Sequence, residues 1–180
     1  MTHRVIVAGA GGQGIMLIGK VLAEAAMREG KNVTYLPAYG AEVRGGTANC
    51  MIVISQTNIG SPLVQQADSL IVLNEPSLMR FADMISDKGT IFINSSLVAQ
   101  SAHASRGLRF AYTDIAVAIG NVKVANMVAL GSFCEKTKVI DFKTVTNIID
   151  DNTPAGKKEI AVLNKKALEA GVMLIKQERH

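Results

Sequence analysis

The sequence has no tryptophan and only 4% aromatic residues, which excludes a core built around large rings. Leu, Ile, Val, Ala and Met must fill the interior, a mix that suits a parallel sheet buried on both faces. Cysteine is scarce. Cys50 and Cys134 stand outside any C-x-x-C pair or Cys/His cluster, and His3, His103 and His180 are scattered. No iron–sulfur or zinc site made by this chain alone is expected, and two unpaired thiols suit a reducing, cytoplasmic setting. Long apolar runs are also missing. None approaches the roughly 18 residues of a membrane-spanning helix, and Met1-Thr-His-Arg-Val5 leads straight into a strand with no secretory-leader pattern. No membrane contact is expected. Net charge is low, at +4. The lysines between Lys136 and Lys166 are interleaved with acids, so they read as a solvated helical surface rather than a nucleic-acid patch.

The chain does have enough length for one domain over residues 1–180. At that size folding buries roughly 70% of the unfolded chain's surface. Val5–Ala8 reads as a buried strand, followed by a glycine-rich turn, Gly9-Ala-Gly-Gly-Gln-Gly14. A helix then runs from about Gln13 to Arg28, with Ile15, Ile18, Val21, Leu22 and Ala25 on one face and Lys20, Glu24 and Arg28 on the other. Gly30 marks its end. Further strands are expected at Val33–Leu36, Asn49–Ile54, Ser69–Leu73 and Thr90–Asn94, with an outer one at Leu108–Tyr112. A helix over Pro76–Ile85 separates the fourth strand from the fifth. The last third is helical: Lys123–Lys136, Phe142–Ile148, and a final helix opened by Thr153-Pro154, with Ile160, Leu163, Ala167 and Leu168 at helical spacing. This alternation predicts an α/β fold, a Rossmann-like doubly wound and mostly parallel sheet with a helical C-terminal third.

Gly9-x-Gly11-x-x-Gly14 matches the dinucleotide fingerprint in its strand–turn–helix setting. Glycines there permit a tight turn and close backbone approach, and the helix start offers free N–H groups to an anion. Three readings stay open: a structural packing turn, a phosphate or other anion contact, and a dinucleotide site. The last wants an acid at the end of the second strand to hold the ribose. That position holds Leu36-Pro37-Ala38, while Glu29 comes too early and Glu42 lies within the next loop. In that loop, Arg44 beside Gly45 and Gly46 presents a guanidinium and backbone amides to a phosphate or carboxylate, or pairs with an acid across a subunit contact. A parallel sheet gathers Gly11–Gly14, Tyr39–Thr47, Asn74–Pro76 and Asn94–Ser96 on one rim. This rim has no Ser/His/Asp, Cys/His or paired-carboxylate constellation. Asp114 reads as a helix cap. No catalytic residue is assigned, and the rim reads as a contact surface.

Gly9-Ala-Gly-Gly-Gln-Gly14, Tyr39-Gly-Ala-Glu-Val-Arg-Gly-Gly-Thr-Ala-Asn49 and Ile59-Gly-Ser-Pro62 resemble the gamma subunit of 2-oxoacid:ferredoxin (acceptor) oxidoreductases. Asn94-Ser-Ser-Leu97 and Gly120-Asn-x-Lys-x-Ala-Asn-Met127 look like the same family. The wording is closest to the 2-oxoglutarate branch, then the branched-chain 2-oxoacid branch, then pyruvate. The resemblance implies a Rossmann-like α/β domain in a multi-subunit enzyme with alpha, beta and, in some members, delta subunits. That enzyme oxidatively decarboxylates a 2-oxoacid, forms the acyl-coenzyme A and reduces ferredoxin or a similar acceptor. It places thiamine diphosphate, magnesium and iron–sulfur clusters on the partner subunits and none on this chain. A further expectation is that Gly11, Gly12, Gln13, Gly14, Arg44, Gly45 and Gly46 contact an anion or coenzyme A. Self-association of the isolated chain also fits its apolar surfaces. The alternative is a free-standing nucleotide-binding Rossmann-type oxidoreductase, against which the absent acid speaks.

Overall fold

The structure is a computed structural model that describes residues 1–39, 47–101 and 103–178. In chain order its elements are β1 (Thr2–Ala10), α1 (Ile15–Arg28), β2 (Asn32–Tyr39), β3 (Thr47–Ser55), β4 (Ala67–Val72), α2 (Glu75–Phe81), β5 (Ile85–Asn94) and β6 (Leu108–Phe110). Helices α3 (Tyr112–Ile119), α4 (Ala125–Thr137), α5 (Phe142–Asp151) and α6 (Lys158–Glu178) follow. One six-stranded sheet has the order β2-β3-β1-β4-β5-β6.

β1, β4, β5 and β6 pair in parallel, whereas β3 is antiparallel to both β1 and β2. Five of the six strands therefore share one direction, and β3 alone is reversed. The reversal has a simple cause. Tyr39 and Thr47 bound the β2–β3 connection, and a parallel crossover needs a dozen or more residues. The chain must turn back. β3 lies inside the sheet, as its near-continuous apolar sequence requires.

Alternation along the strands sends side chains to two different layers. Val5, Val7, Cys50, Ile52, Ile54 and Phe92 face a thick layer made by α1, α3, α4, α5 and α6. Ile6, Ala8, Val53, Leu70, Val72, Ile91 and Ile93 face a thinner one in which α2 supplies Leu78 and Phe81. The thick layer is closely fitted. Phe92 and Phe133 meet edge to face at 5.8 Å. Helices α4 and α6 approach so closely that a Cβ on Gly171 would come within 2.7 Å of the Ser132 backbone nitrogen. Ser132 Oγ fills the same crossing, its single O–H shared between the carbonyls of Val128 and Gly171 at 3.2 and 3.1 Å.

Helix α1 buries all five predicted face residues. It ends in a Schellman motif: Gly30 takes φ +71°, its N–H donates to the Met27 carbonyl, and that of Lys31 donates to Ala26. Other boundaries differ from the sequence expectation. β5 begins at Ile85, so α2 is shorter and the polar stretch Ser86–Gly89 is extended strand, with a register irregularity between Ala67 and Ser69. Thr153 does not cap the final helix, because its hydroxyl donates back to the Ile149 carbonyl. The buried stripe of α6 uses Ala161, Ala167, Leu168, Gly171 and Ile175, while Ile160 is exposed. Asp114 is not a cap either. It lies in the first turn of α3, which starts at Tyr112 because β6 ends at Phe110.

Candidate functional site

The carboxyl ends of the five co-directional strands form one rim. Ala10 at the end of β1 lies opposite Thr47, Tyr39 at the end of β2 opposite Ala48, and Asn94 at the end of β5 beside Phe110. Strand direction thus brings together the glycine turn, both flanks of the Tyr39–Thr47 connection, Asn74 and Asn94, as the parallel-sheet argument requires. Arg44, Gly45 and Gly46 themselves lie outside the described residues.

The turn is held from within the fold. Gln13 Oε1 accepts the Ala10 N–H at 2.7 Å, and Gln13 Nε2 donates to the Leu73 carbonyl at 3.2 Å. One side chain thereby ties the end of β1 to the end of β4. Gly9 leaves room for this arrangement, since a Cβ there would sit 2.6 Å from Gln13 Oε1 and 2.7 Å from Ile15 Cδ1 and would push both side chains aside. Gly14 caps α1 with φ +75°, and no side chain bonds the cap. Its carbonyl accepts from Asn126 Nδ2 at 3.3 Å. A Cβ on Gly14 would collide with that same amide. Gly12 has φ +90° with open space where a Cβ would stand, so it needs glycine for backbone conformation alone. Gly11 and Gly12 are exposed, and the first turn of α1 carries no acid. A helix start with no side-chain cap and no acid in its first turn favours a negative group.

The neighbouring rim residues serve the fold. Asn74 Oδ1 accepts the Ser77 N–H and so caps α2. Asn94, 1% exposed, donates to the Leu73 carbonyl and to Thr113 Oγ1 and accepts the Thr113 N–H. Ser96 Oγ accepts the Asp114 N–H. Two rim residues were not singled out by the sequence argument. Arg80 on α2 donates to Thr47 Oγ1 at 3.2 Å, which places a cation beside the start of β3. Asn126 on α4 holds Gly14 across 112 positions of sequence. Asn126 belongs to the Gly120–Met127 segment, so resemblance gave a signal for it. Nothing in the sequence pattern joins Arg80 to Thr47.

Other residues singled out in the sequence lie beyond the rim or are buried. Ile59-Gly-Ser-Pro62 does not reach it. Ile59, Gly60 and Ser61 line a groove of about 610 Å³ with Arg4, Ser55 and Gln65 near the opposite end of β1. Burial pushes the Cys50 and Cys134 thiols up to about 12, so neither is a ready nucleophile at neutral pH. Burial lowers the pKa of His3, against the opposing charge of Asp68. Among the described residues no group of three His, Cys, Asp or Glu side chains is placed to hold a metal ion. Among the described residues, likewise, no helix is long and apolar enough to cross a membrane.

The sequence matches the family model described as pyruvate ferredoxin/flavodoxin oxidoreductase over residues 4–174. It is 41% identical to the ketoisovalerate oxidoreductase subunit VorA of Methanothermobacter thermautotrophicus, over 93% of this chain and 35% of that protein. The chain thus spans about a third of the length of that relative. It is 30% identical to the 2-oxoglutarate synthase subunit KorC of Methanothermobacter marburgensis, over 97% of each chain. The crystal structure of a keto/oxoacid ferredoxin oxidoreductase gamma subunit from Geobacter sulfurreducens superposes with a TM-score of 0.83 at 27% identity, covering 97% of this chain and 99% of that one.

Proposed function

The chain belongs to the pyruvate ferredoxin/flavodoxin oxidoreductase family, and from that premise we propose that it is the gamma-type subunit of a multi-subunit 2-oxoacid:ferredoxin (acceptor) oxidoreductase. The observation that carries this reading is the end-to-end likeness to the KorC subunit, over 97% of both chains. The reaction of the assembly is oxidation of 2-oxoglutarate with coenzyme A to succinyl-coenzyme A and carbon dioxide, with reduction of a ferredoxin-type acceptor. One specific observation favours a second substrate: the 41% identity to a ketoisovalerate subunit supports a branched-chain 2-oxoacid. Alpha, beta and, where present, delta subunits are the partners, in the cytoplasm. They bring thiamine diphosphate, magnesium and iron–sulfur clusters. The described residues of this chain offer no ligand cluster for a metal or iron–sulfur group, so no step is assigned to such a group here.

In this reading the rim is a positioning surface. Exposed Gly11 and Gly12, together with Gln13, Gly14, Arg44, Gly45 and Gly46, are the residues proposed to contact an anion or coenzyme A, whose phosphates suit backbone N–H groups and a guanidinium. Gln13 and Asn126 keep the turn in shape.

The substrate is decided by assaying the purified assembly with 2-oxoglutarate and with ketoisovalerate. A higher kcat/KM for 2-oxoglutarate supports the first reading, and a higher value for ketoisovalerate replaces it with the second. Arg44→Ala is expected to raise KM for coenzyme A roughly tenfold or to weaken assembly, as loss of a charge-assisted hydrogen bond would, with thiamine diphosphate binding retained. Unchanged assembly and kinetics would remove Arg44 from the site.

A further inference from the structure

The sheet has two edges of very different kind. β6 is three residues long, and the guanidinium of its Arg109 is engaged with the carbonyls of Val98 and Ala99. β2 is eight residues long, Asn-Val-Thr-Tyr-Leu-Pro-Ala-Tyr, without a single charged side chain. Long, uncharged edges are what natural sheets avoid unless another strand covers them, because their free N–H and C=O groups template pairing.

The hydrogen-bond parity of β2 can be traced across the sheet. The Leu73 N–H donates to the Ala8 carbonyl, so Ala8 turns its backbone groups toward β4 and Val7 turns toward β3. Val7 lies opposite Cys50, so Cys50 bonds to β1 and leaves Pro37, its opposite on β2, in a non-bonded pair. Pro37 has no N–H to give, which agrees. By alternation Asn32, Thr34, Leu36 and Ala38 bond to β3, while Val33, Tyr35, Pro37 and Tyr39 turn their backbone groups outward.

We propose that this edge pairs with the same edge of a second copy of the chain, antiparallel about a two-fold axis at Thr34, joining two sheets into one. In that register Val33 of each copy faces Tyr35 of the other, and the two pairs exchange a full set of backbone hydrogen bonds. Shifting the axis to Tyr35 would set Pro37 opposite Val33 and lose a donor twice within the strand, whereas at Thr34 Pro37 falls opposite Lys31, outside β2, so Pro37 disfavours the shifted register. The neutral strand suits self-pairing, because a two-fold axis brings each residue near its own copy and like charges would repel. Thr34 adds an independent observation. Its Oγ1 is buried without a hydrogen-bond partner, and the axis places it opposite Thr34 of the second copy. A rotation about χ1 then supplies the missing partner in a narrow, non-bonded pair of the kind that Thr–Thr contacts favour. This inference goes beyond the gamma-subunit reading and does not depend on it.

Sedimentation velocity on the full chain and oxidation of single-cysteine variants test the pairing. The native Cys50 and Cys134 are buried, so they do not compete. The wild-type chain is expected to sediment as a dimer at micromolar concentration, and Thr34→Lys to weaken the dimer by about tenfold or more while circular dichroism stays native. Thr34→Cys should form a covalent dimer under oxidised glutathione, since Cα atoms across a non-bonded antiparallel pair lie about 4.5 Å apart, within disulfide reach. Asn32→Cys alone should not cross-link, but mixed with Leu36→Cys it should, because those positions face each other in this register. A wild-type monomer, a dimer whose Thr34→Cys form does not cross-link, or Asn32→Cys linking to itself as fast as Thr34→Cys would overturn the proposal. None of these readouts involves oxidoreductase activity, so they stand or fall apart from the proposed function.

Discussion

On one face of the sheet, five helices bury Val5, Val7, Cys50, Ile52, Phe92 and Phe133 in a layer tight enough to demand Gly131 and Gly171 at a helix crossing. On the other face, α2 with its seven residues and a few turn residues such as Val64, Val98 and Ala104 cover Ile6, Val53, Leu70 and Ile91. Leu36 and Met51 lie opposite each other on that second face and remain half-buried. The comparison separates two tasks. The helix-covered face supplies stability from within the chain. The thin face, the β2 edge and the glycine rim are where the fold leaves groups unspent, and all three are open to contact.

The comparison breaks most readily at Phe92. Phe92→Ala removes a fully buried ring at the centre of the thick layer and is expected to cost about 3–5 kcal/mol. Leu36→Ala on the thin face should cost less than about 1 kcal/mol, because little of that side chain's environment is closed. Urea midpoints at constant m-value would show it. Similar losses at both positions would mean that the faces do not differ in energetic weight.

Gln13→Ala sharpens the contrast at the rim. The variant leaves the Ala10 N–H without its partner and removes one of the two donors to the Leu73 carbonyl, which keeps Asn94, so a loss of roughly 1–2 kcal/mol is expected, with strand content unchanged. A neutral effect would show that the turn holds its shape without this brace.

The smallest effect expected is a pH dependence from the thick face. His3 packs its ring against Phe133, and its Nε2 lies 3.0 Å from Ser69 Oγ. Burial lowers its pKa below the ordinary histidine value of 6.5. The unfolded chain therefore binds the proton more readily, and stability should fall as pH drops through 6.5 toward the depressed value. His3→Gln should flatten that portion of the stability curve. Persistence of the full slope in the variant would assign it to another group.

Much of this layout was legible in the sequence, and the failures share physical causes. Val5–Ala8, the glycine turn and the spaced apolar residues of α1 specify each other locally, so strand, turn and helix were recoverable. The direction of β3 was not written in its pattern, because an interior apolar strand looks the same in either direction. Only the short β2–β3 connection forces the reversal. Ser86-Asp-Lys-Gly89 reads as loop because its side chains are polar, yet the chain there is extended with little of the sheet beside it. At the rim, the roles of Gly9, Gly12 and Gly14 follow from glycine chemistry. The Asn126–Gly14 and Arg80–Thr47 contacts depend on elements far apart in sequence, and no local period encodes them.

A gamma-type chain is expected to work beside catalytic subunits rather than alone. Affinity purification of the tagged chain from its native cells, followed by identification of the chains bound and assay of 2-oxoacid-dependent reduction of a ferredoxin-type acceptor, tests this most directly. A stable assembly containing a thiamine diphosphate-binding chain and an iron–sulfur chain, active with 2-oxoglutarate or ketoisovalerate, is expected. Recovery of the chain alone or only with copies of itself, with no such activity in the bound fraction, would contradict it.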